Sequence, residues 1–122
     1  MNSKKIDDIL NSLNKSKFRS SFHLNEKMKT YVKEKGIDAI TVHAYDFINQ
    51  RLAPAYPEND GHQTPTKNHP VFIAQHACAC CCRNCLYKWH HIERGKTLTK
   101  HEIDYIVNLL ITWIKREVKD EK

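Results

Sequence analysis

Glycine is scarce in this chain: Gly36, Gly61 and Gly95 are the three among 122 residues. None stands close enough to another to build the G-x-G-x-x-G of a dinucleotide site or a phosphate-cradling glycine loop. The H-E-x-x-H and G-x-S-x-G signatures are absent as well, which removes the common zinc-protease and serine-hydrolase patterns. Proline is confined to positions 54, 57, 65 and 70, so the tracts on either side run without their strongest breaker. No apolar run approaches the roughly 20 residues that cross a bilayer. The first residues, Met1 to Asp8, hold no apolar signal core. A soluble, cytoplasmic protein with no membrane association is expected. Cysteine, finally, is missing from residues 1–77 and 86–122.

All five cysteines therefore fall in one stretch, Cys78-Ala79-Cys80-Cys81-Cys82-Arg83-Asn84-Cys85. Thiolates are soft, nucleophilic and metal-seeking, and crowding them either builds a metal site or concentrates thiol reactivity. In a reducing compartment an odd number of adjacent thiols suits a disulfide framework badly. The net charge of +6 is uneven. Both ends are basic and the middle is not, which favours nucleic acid or an acidic protein as a partner. Arg19, Lys27, Lys29 and Lys33 are the candidate polyanion-binding residues, although solvated helix faces explain the same charges.

Apolar residues recur at helical spacing, and the expected fold is all-α, a single compact domain (residues 1–122) of about five helices. Ile6, Ile9, Leu10 and Leu13 mark a short N-terminal helix within residues 1–17 that could be loosely attached. Phe18 and Phe22 read as core anchors. Asn25 caps a second helix that ends at Gly36, with Met28, Tyr31 and Val32 inward and Lys27, Lys29 and Lys33 toward water. Asp38 is expected to cap a third, with Ile37 stapled to Val42 and a buried stripe of Ile40, Ala44, Phe47, Ile48 and Leu52. Thr99-Lys100-His101-Glu102 is a capping box, and the apolar face of Ile106, Val107, Leu110, Trp113, Ile114 and Val118 follows it. That last helix should pack on the third. Between them, Ala53 to His69 reads as a long Pro- and Gly-containing loop leading into a cysteine-rich helix, and loops of that length are often functional.

Pro70 suits a helix start, and Val71 to Ala79 reads as short helix or buried extended segment. Cys81 to His91 reads as helix, which places Cys78, Cys81, Cys82 and Cys85 on one face and Cys80 on the other. Such a face can be core packing, since cysteine is a small apolar residue. One helix offers a metal two or three ligands, so a further donor must come from a neighbouring segment. A Cys₃His set is more plausible than Cys₄, and thiolate with imidazole favours Zn²⁺. An iron–sulfur cluster and a metal-free redox C-x-x-C are the alternatives, although neither ferredoxin spacing nor a thioredoxin-type βαβ pattern is present.

The runs His69-Pro70-Val71-Phe72-Ile73-Ala74-Gln75-His76-Ala77 and Cys81-Cys82-Arg83-x-Cys85-Leu86-x-Lys88-Trp89-His90-x-Ile92 resemble the bacterial domain-of-unknown-function family 4186. Arg51-Leu52-Ala53-Pro54, Asn59-Asp60-Gly61-x-Gln63-Thr64-Pro65, Phe18-Arg19 and Lys35-Gly36 resemble it too. The resemblance implies that Cys81, Cys82, Cys85, His76 and His90 form the motif, with Cys78 and Cys80 outside it. It also singles out Arg51, Asp60, Gln63, Thr64, His69 and Gln75. Turn formation, or pairing of Arg51 with Asp46, accounts for these, or they line a pocket in which a metal-bound water meets a general base. The resulting expectation is one zinc held by Cys81, Cys82 and Cys85 with His90 or His76 as fourth donor, its charge offset by Arg83 and Lys88. The function expected first is a metal-stabilised interaction module, followed by a metal-dependent hydrolase and then a thiol redox protein cycling Cys82 and Cys85.

Overall fold

The computed structural model describes residues 3–119, which hold six α-helices, one 3₁₀ turn and no strand. The helices are α1 (Ser3–Asn14), α2 (Glu26–Lys35), α3 (Ile37–Arg51), α4 (Pro70–Ala77), α5 (Arg83–His90) and α6 (Lys100–Lys119), with the 3₁₀ turn Arg19–Ser21 between α1 and α2. The all-α expectation holds in one compact domain, and the segment after Pro70, expected as either short helix or extended, is helical and accounts for the sixth helix.

Helix α6 begins as its sequence dictates. Thr99 Oγ1 accepts from the Glu102 N–H at 3.1 Å, and Glu102 Oε1 accepts from the Thr99 N–H at 2.9 Å, so two otherwise orphaned donors are satisfied reciprocally. From Tyr105 to Ile114 it buries Tyr105, Ile106, Val107, Leu109, Leu110, Ile111, Trp113 and Ile114. That is wider than a single stripe, because α6 is wrapped by α1, α2, α3 and α4. A helix that is apolar on most sides is a buried one. Onto it α1 lays Ile6, Leu10 and Leu13, and α3 lays Ile40, Ala44 and Ile48 at four-residue spacing.

Helix α2 is capped as expected, with Asn25 Oδ1 accepting from the Met28 N–H at 2.8 Å and Gly36 ending it at φ 88°. Helix α3 differs from the reading. Gly36 is both the end of α2 and the N-cap position of α3, its φ 88° and ψ 150° completing the turn in one residue that a side chain would strain. Ile37 is already helical, so Asp38 falls in the first turn rather than at the cap. Val42 is 58 % exposed, opposite the buried Ile40-Ala44-Ile48 row, and no staple forms. Phe18 is likewise 60 % exposed, with Arg19 over its ring, while Phe22 turns inward onto His76.

Residues 52–69 contain no helix or strand, and polar contacts hold them in place. Arg83 is the largest of these ties. It is 1 % exposed, and its guanidinium donates to the Leu52 and Pro54 carbonyls at 3.2 and 2.7 Å and to the Glu93 and Lys96 carbonyls at 2.9 and 2.7 Å. One side chain thus joins the end of α3 to the loop between α5 and α6. Removing it leaves four carbonyls without this donor. Arg83→Met, which keeps most of the volume, is expected to destabilise the fold by about 3 kcal/mol, read from the midpoint of urea unfolding.

Candidate metal centre

Helix α4 starts with Pro70 at its first position and His69 as N-cap. Val71 donates its N–H to His69 Nδ1 at 3.0 Å, so that nitrogen is an acceptor and Nε2 carries the proton. Nε2 then donates to His43 Nδ1 at 3.0 Å. Tyr31, Phe47 and Phe72 enclose the His69 ring.

At its other end α4 stops abruptly. The Cys80 N–H donates to the Gln75 carbonyl at 2.7 Å and the Ala79 N–H to the His76 carbonyl at 3.4 Å, with Ala79 in the left-handed region at φ 58°. This is a Schellman termination built on alanine rather than glycine. It corrects the expected continuous helix from Cys81. Cys80 and Cys81 lie in the connection, Cys82 is the N-cap of α5 with its thiol accepting from the Cys85 N–H at 3.4 Å, and only Cys85 is helical.

The consequence is convergence of three thiols. Cys85 Sγ stands 3.5 Å from Cys81 Sγ and 3.3 Å from Cys82 Sγ, and the three sulfurs lie within 4.8 Å of one another. These separations far exceed the ~2.05 Å of a disulfide and approach the ~3.8 Å edge of a tetrahedron whose metal–sulfur bonds are about 2.3 Å. Cys78 and Cys80 take no part. Both are fully buried, and burial raises the pKa of each thiol, with Cys80 well above the ordinary range.

Neither expected histidine joins the trio. Both nitrogens of His90 are engaged, Nδ1 with the Tyr105 hydroxyl at 2.9 Å and Nε2 with the Cys78 carbonyl at 2.8 Å, and burial lowers its pKa. His76 Nε2 donates to the Thr64 carbonyl at 3.0 Å while its ring stacks on Phe22. Among the described residues the ligand cluster consists of Cys81, Cys82 and Cys85 alone.

The cation beside the sulfurs is Arg19, not Arg83 or Lys88. Arg83 is spent on backbone carbonyls, and Lys88 is exposed. Arg19 is 8 % exposed. Its Nη2 donates to Cys85 Sγ at 3.2 Å, and its Nη1 donates to Cys81 Sγ at 3.6 Å and to the His76 carbonyl at 2.8 Å. Burial works to lower its pKa, and the hydrogen bonds to Cys81 and Cys85 more than reverse that. Cys81 is held above the ordinary thiol range, chiefly by the hydrogen bond it shares with Cys82. The sequence signal for Arg19 was present: no carboxylate lies between Asp8 and Glu26 to pair with it locally.

The six polar residues flanking the motif are braces. Thr64 Oγ1 donates to the Cys81 carbonyl at 2.8 Å, and Gln75 Nε2 donates to the Cys80 carbonyl at 3.0 Å. Asp60 Oδ1 accepts from Gln63 Nε2 at 3.0 Å and from the Arg83 N–H at 3.2 Å, while Gln63 Oε1 accepts from the Gly61 N–H at 2.7 Å. Arg51 donates to the Gln63 carbonyl at 3.2 Å and lies over the Phe72 ring, so the pairing with Asp46 gives way to a strut. His69 caps α4. Each fixes either the loop before the thiols or the thiol turn itself.

Burial, and next to it His43, lowers the His69 pKa from 6.5 to about 4. Between those values the unfolded chain binds a proton that the folded chain refuses, so stability falls as pH drops from about 6.5 to about 4 and is flat above. The shift corresponds to roughly 3 kcal/mol, and about 2 kcal/mol after screening at the half-buried ring. His69→Asn keeps a cap acceptor without the titration. Urea unfolding of wild type and variant across pH 7 to 4 is expected to show the difference shrinking by about that amount as pH falls.

No solved structure matches the chain. The family described as a domain of unknown function, DUF4186, matches residues 7–115, a span that includes the thiol trio, Arg19 and every brace named above. The chain therefore belongs to the DUF4186 family.

Proposed function

We propose that this chain is a zinc-binding domain in which Cys81, Cys82 and Cys85 hold one ion, and that the ion locks the α4–α5 turn into a stable interaction module. The observation that carries the reading is the convergence of the three thiols with a buried guanidinium set against two of them. Clustered thiolates repel one another, and a divalent cation removes that repulsion. Thiolate donors select zinc over hard cations, and three protein donors leave the fourth position of a tetrahedral ion to water or to a donor from outside the trio.

Of the four residues expected to meet a polyanion, two are engaged within the domain. Arg19 faces the thiols, and the Lys29 side chain is 17 % exposed and pairs with Glu26 at 3.9 Å. Lys27 and Lys33 remain exposed on α2.

The hydrolase reading lacks support from the polar residues, whose named hydrogen bonds serve the fold. The redox reading draws on the 3.3 Å separation of Cys82 and Cys85.

Elemental analysis of protein purified without chelator or histidine tag is expected to give one zinc per chain. Cys85→Ser is expected to lose it and Cys80→Ala to keep it. No metal, with Cys82 and Cys85 cycling through a disulfide, would favour the redox reading instead.

A further inference from the structure

The proposed centre has a charge balance that depends on one residue. Three thiolates and a divalent ion sum to one negative charge, and the buried Arg19 guanidinium supplies one positive charge beside the half-buried sulfurs of Cys81 and Cys85. We infer that Arg19 is a specificity-determining residue that selects divalent ions at the three-thiol centre. This rests on the metal reading above and goes beyond it by naming what sets the choice of guest.

The selection is electrostatic. A monovalent soft ion such as Cu(I) on three thiolates leaves two negative charges against one guanidinium. Trivalent arsenic on the same thiolates is neutral and leaves the buried guanidinium without a counter-charge. A divalent ion alone brings the ensemble to zero, and charge left uncompensated beside the buried guanidinium is costly. The placement of Arg19 is specific. Its Nη1 bond to the His76 carbonyl anchors it to the last turn of α4, so the charge is held at the sulfurs rather than swinging to solvent. The chain brings it there from 62 and 66 residues away in sequence. Ser16 contributes to the placement by accepting from the Arg19 backbone N–H at 3.2 Å.

The competing guests differ in proton balance as well as charge. Zn²⁺ displaces one proton from each of the three thiols. Arsenous acid condenses with the same three thiols, forming three arsenic–sulfur bonds and releasing three waters, with no net proton and no electron transferred. Charge at position 19 should matter to the first and not to the second.

The test compares wild type, Arg19→Gln and Arg19→Lys for Zn²⁺, Cd²⁺ and arsenous acid. Divalent affinity is read by competition with a chromophoric chelator and arsenic uptake by native mass spectrometry, with helicity checked by circular dichroism. Glutamine retains hydrogen-bond donors and removes the charge. It is expected to weaken Zn²⁺ and Cd²⁺ about tenfold to a hundredfold, the range for a lost hydrogen bond to a charged group, and to leave arsenic binding unchanged or tighter. Lysine is expected to restore most of the divalent affinity. Equal loss for all three guests, or loss in the lysine variant as deep as in the glutamine variant, would show a purely structural role and overturn the inference while leaving the metal centre standing. A wild-type chain that takes up neither Zn²⁺ nor Cd²⁺ overturns the metal reading and this inference with it.

Discussion

The arrangement of this molecule depends on the left-handed turn at Ala79. Had α4 continued, Cys78, Cys81, Cys82 and Cys85 would lie along a helix face and point at a packing partner. The Schellman termination instead ends α4 at Ala77, and α5 restarts only at Arg83. Cys82 becomes an N-cap, and its thiol meets those of Cys81 and Cys85 at a point. Alanine in this conformation costs about 1 kcal/mol or more that glycine would not. Strain of this kind persists where surrounding structure over-determines it. Here the overdetermination is visible in Thr64 and Gln75, which hold the carbonyls of Cys81 and Cys80.

Two buried arginines divide the electrostatic work. The Arg83 guanidinium is solvated by four backbone carbonyls from two loops, in a water-poor interior that would otherwise reject the charge. Arg19 faces sulfur. The difference in partner gives the difference in role: one charge stabilises chain connections, and the other is set against the sulfurs of Cys81 and Cys85. A guanidinium suits both tasks because its planar fork presents several donors at once and does not lose its proton.

What the sequence made legible was local. The capping box at Thr99, the Asn25 cap, the Gly36 stop and the Pro70 start each rest on a residue within three or four positions of the groups it serves, and each forms. The motif cysteines also converge. What the sequence hid was set by tertiary contacts. Nothing in Cys78-Ala79-Cys80 announces a left-handed residue, since the usual glycine is missing. Arg19 looked like surface charge because the sulfurs it meets lie 62 and 66 positions along the chain. His90 looked like a ligand because it belongs to the motif the family resemblance implies, yet Tyr105 on α6 and the Cys78 carbonyl take both ring nitrogens. Of the residues expected to line a pocket, Arg51 and Gln63 border an open cleft, while Thr64, Gln75 and Asp60 bond the backbone around the thiol turn, as a loop without helix or strand needs when it runs past buried groups.

The central claim is a metal centre with three thiolate donors from one turn. X-ray absorption at the zinc edge tests it most directly, because the scattering separates sulfur from lighter atoms and counts each. The account predicts three sulfurs per zinc at about 2.3 Å and one nitrogen or oxygen at about 2.0 Å. Four sulfurs, which would bring in Cys78 or Cys80, or a shell with two or more imidazoles, would contradict it.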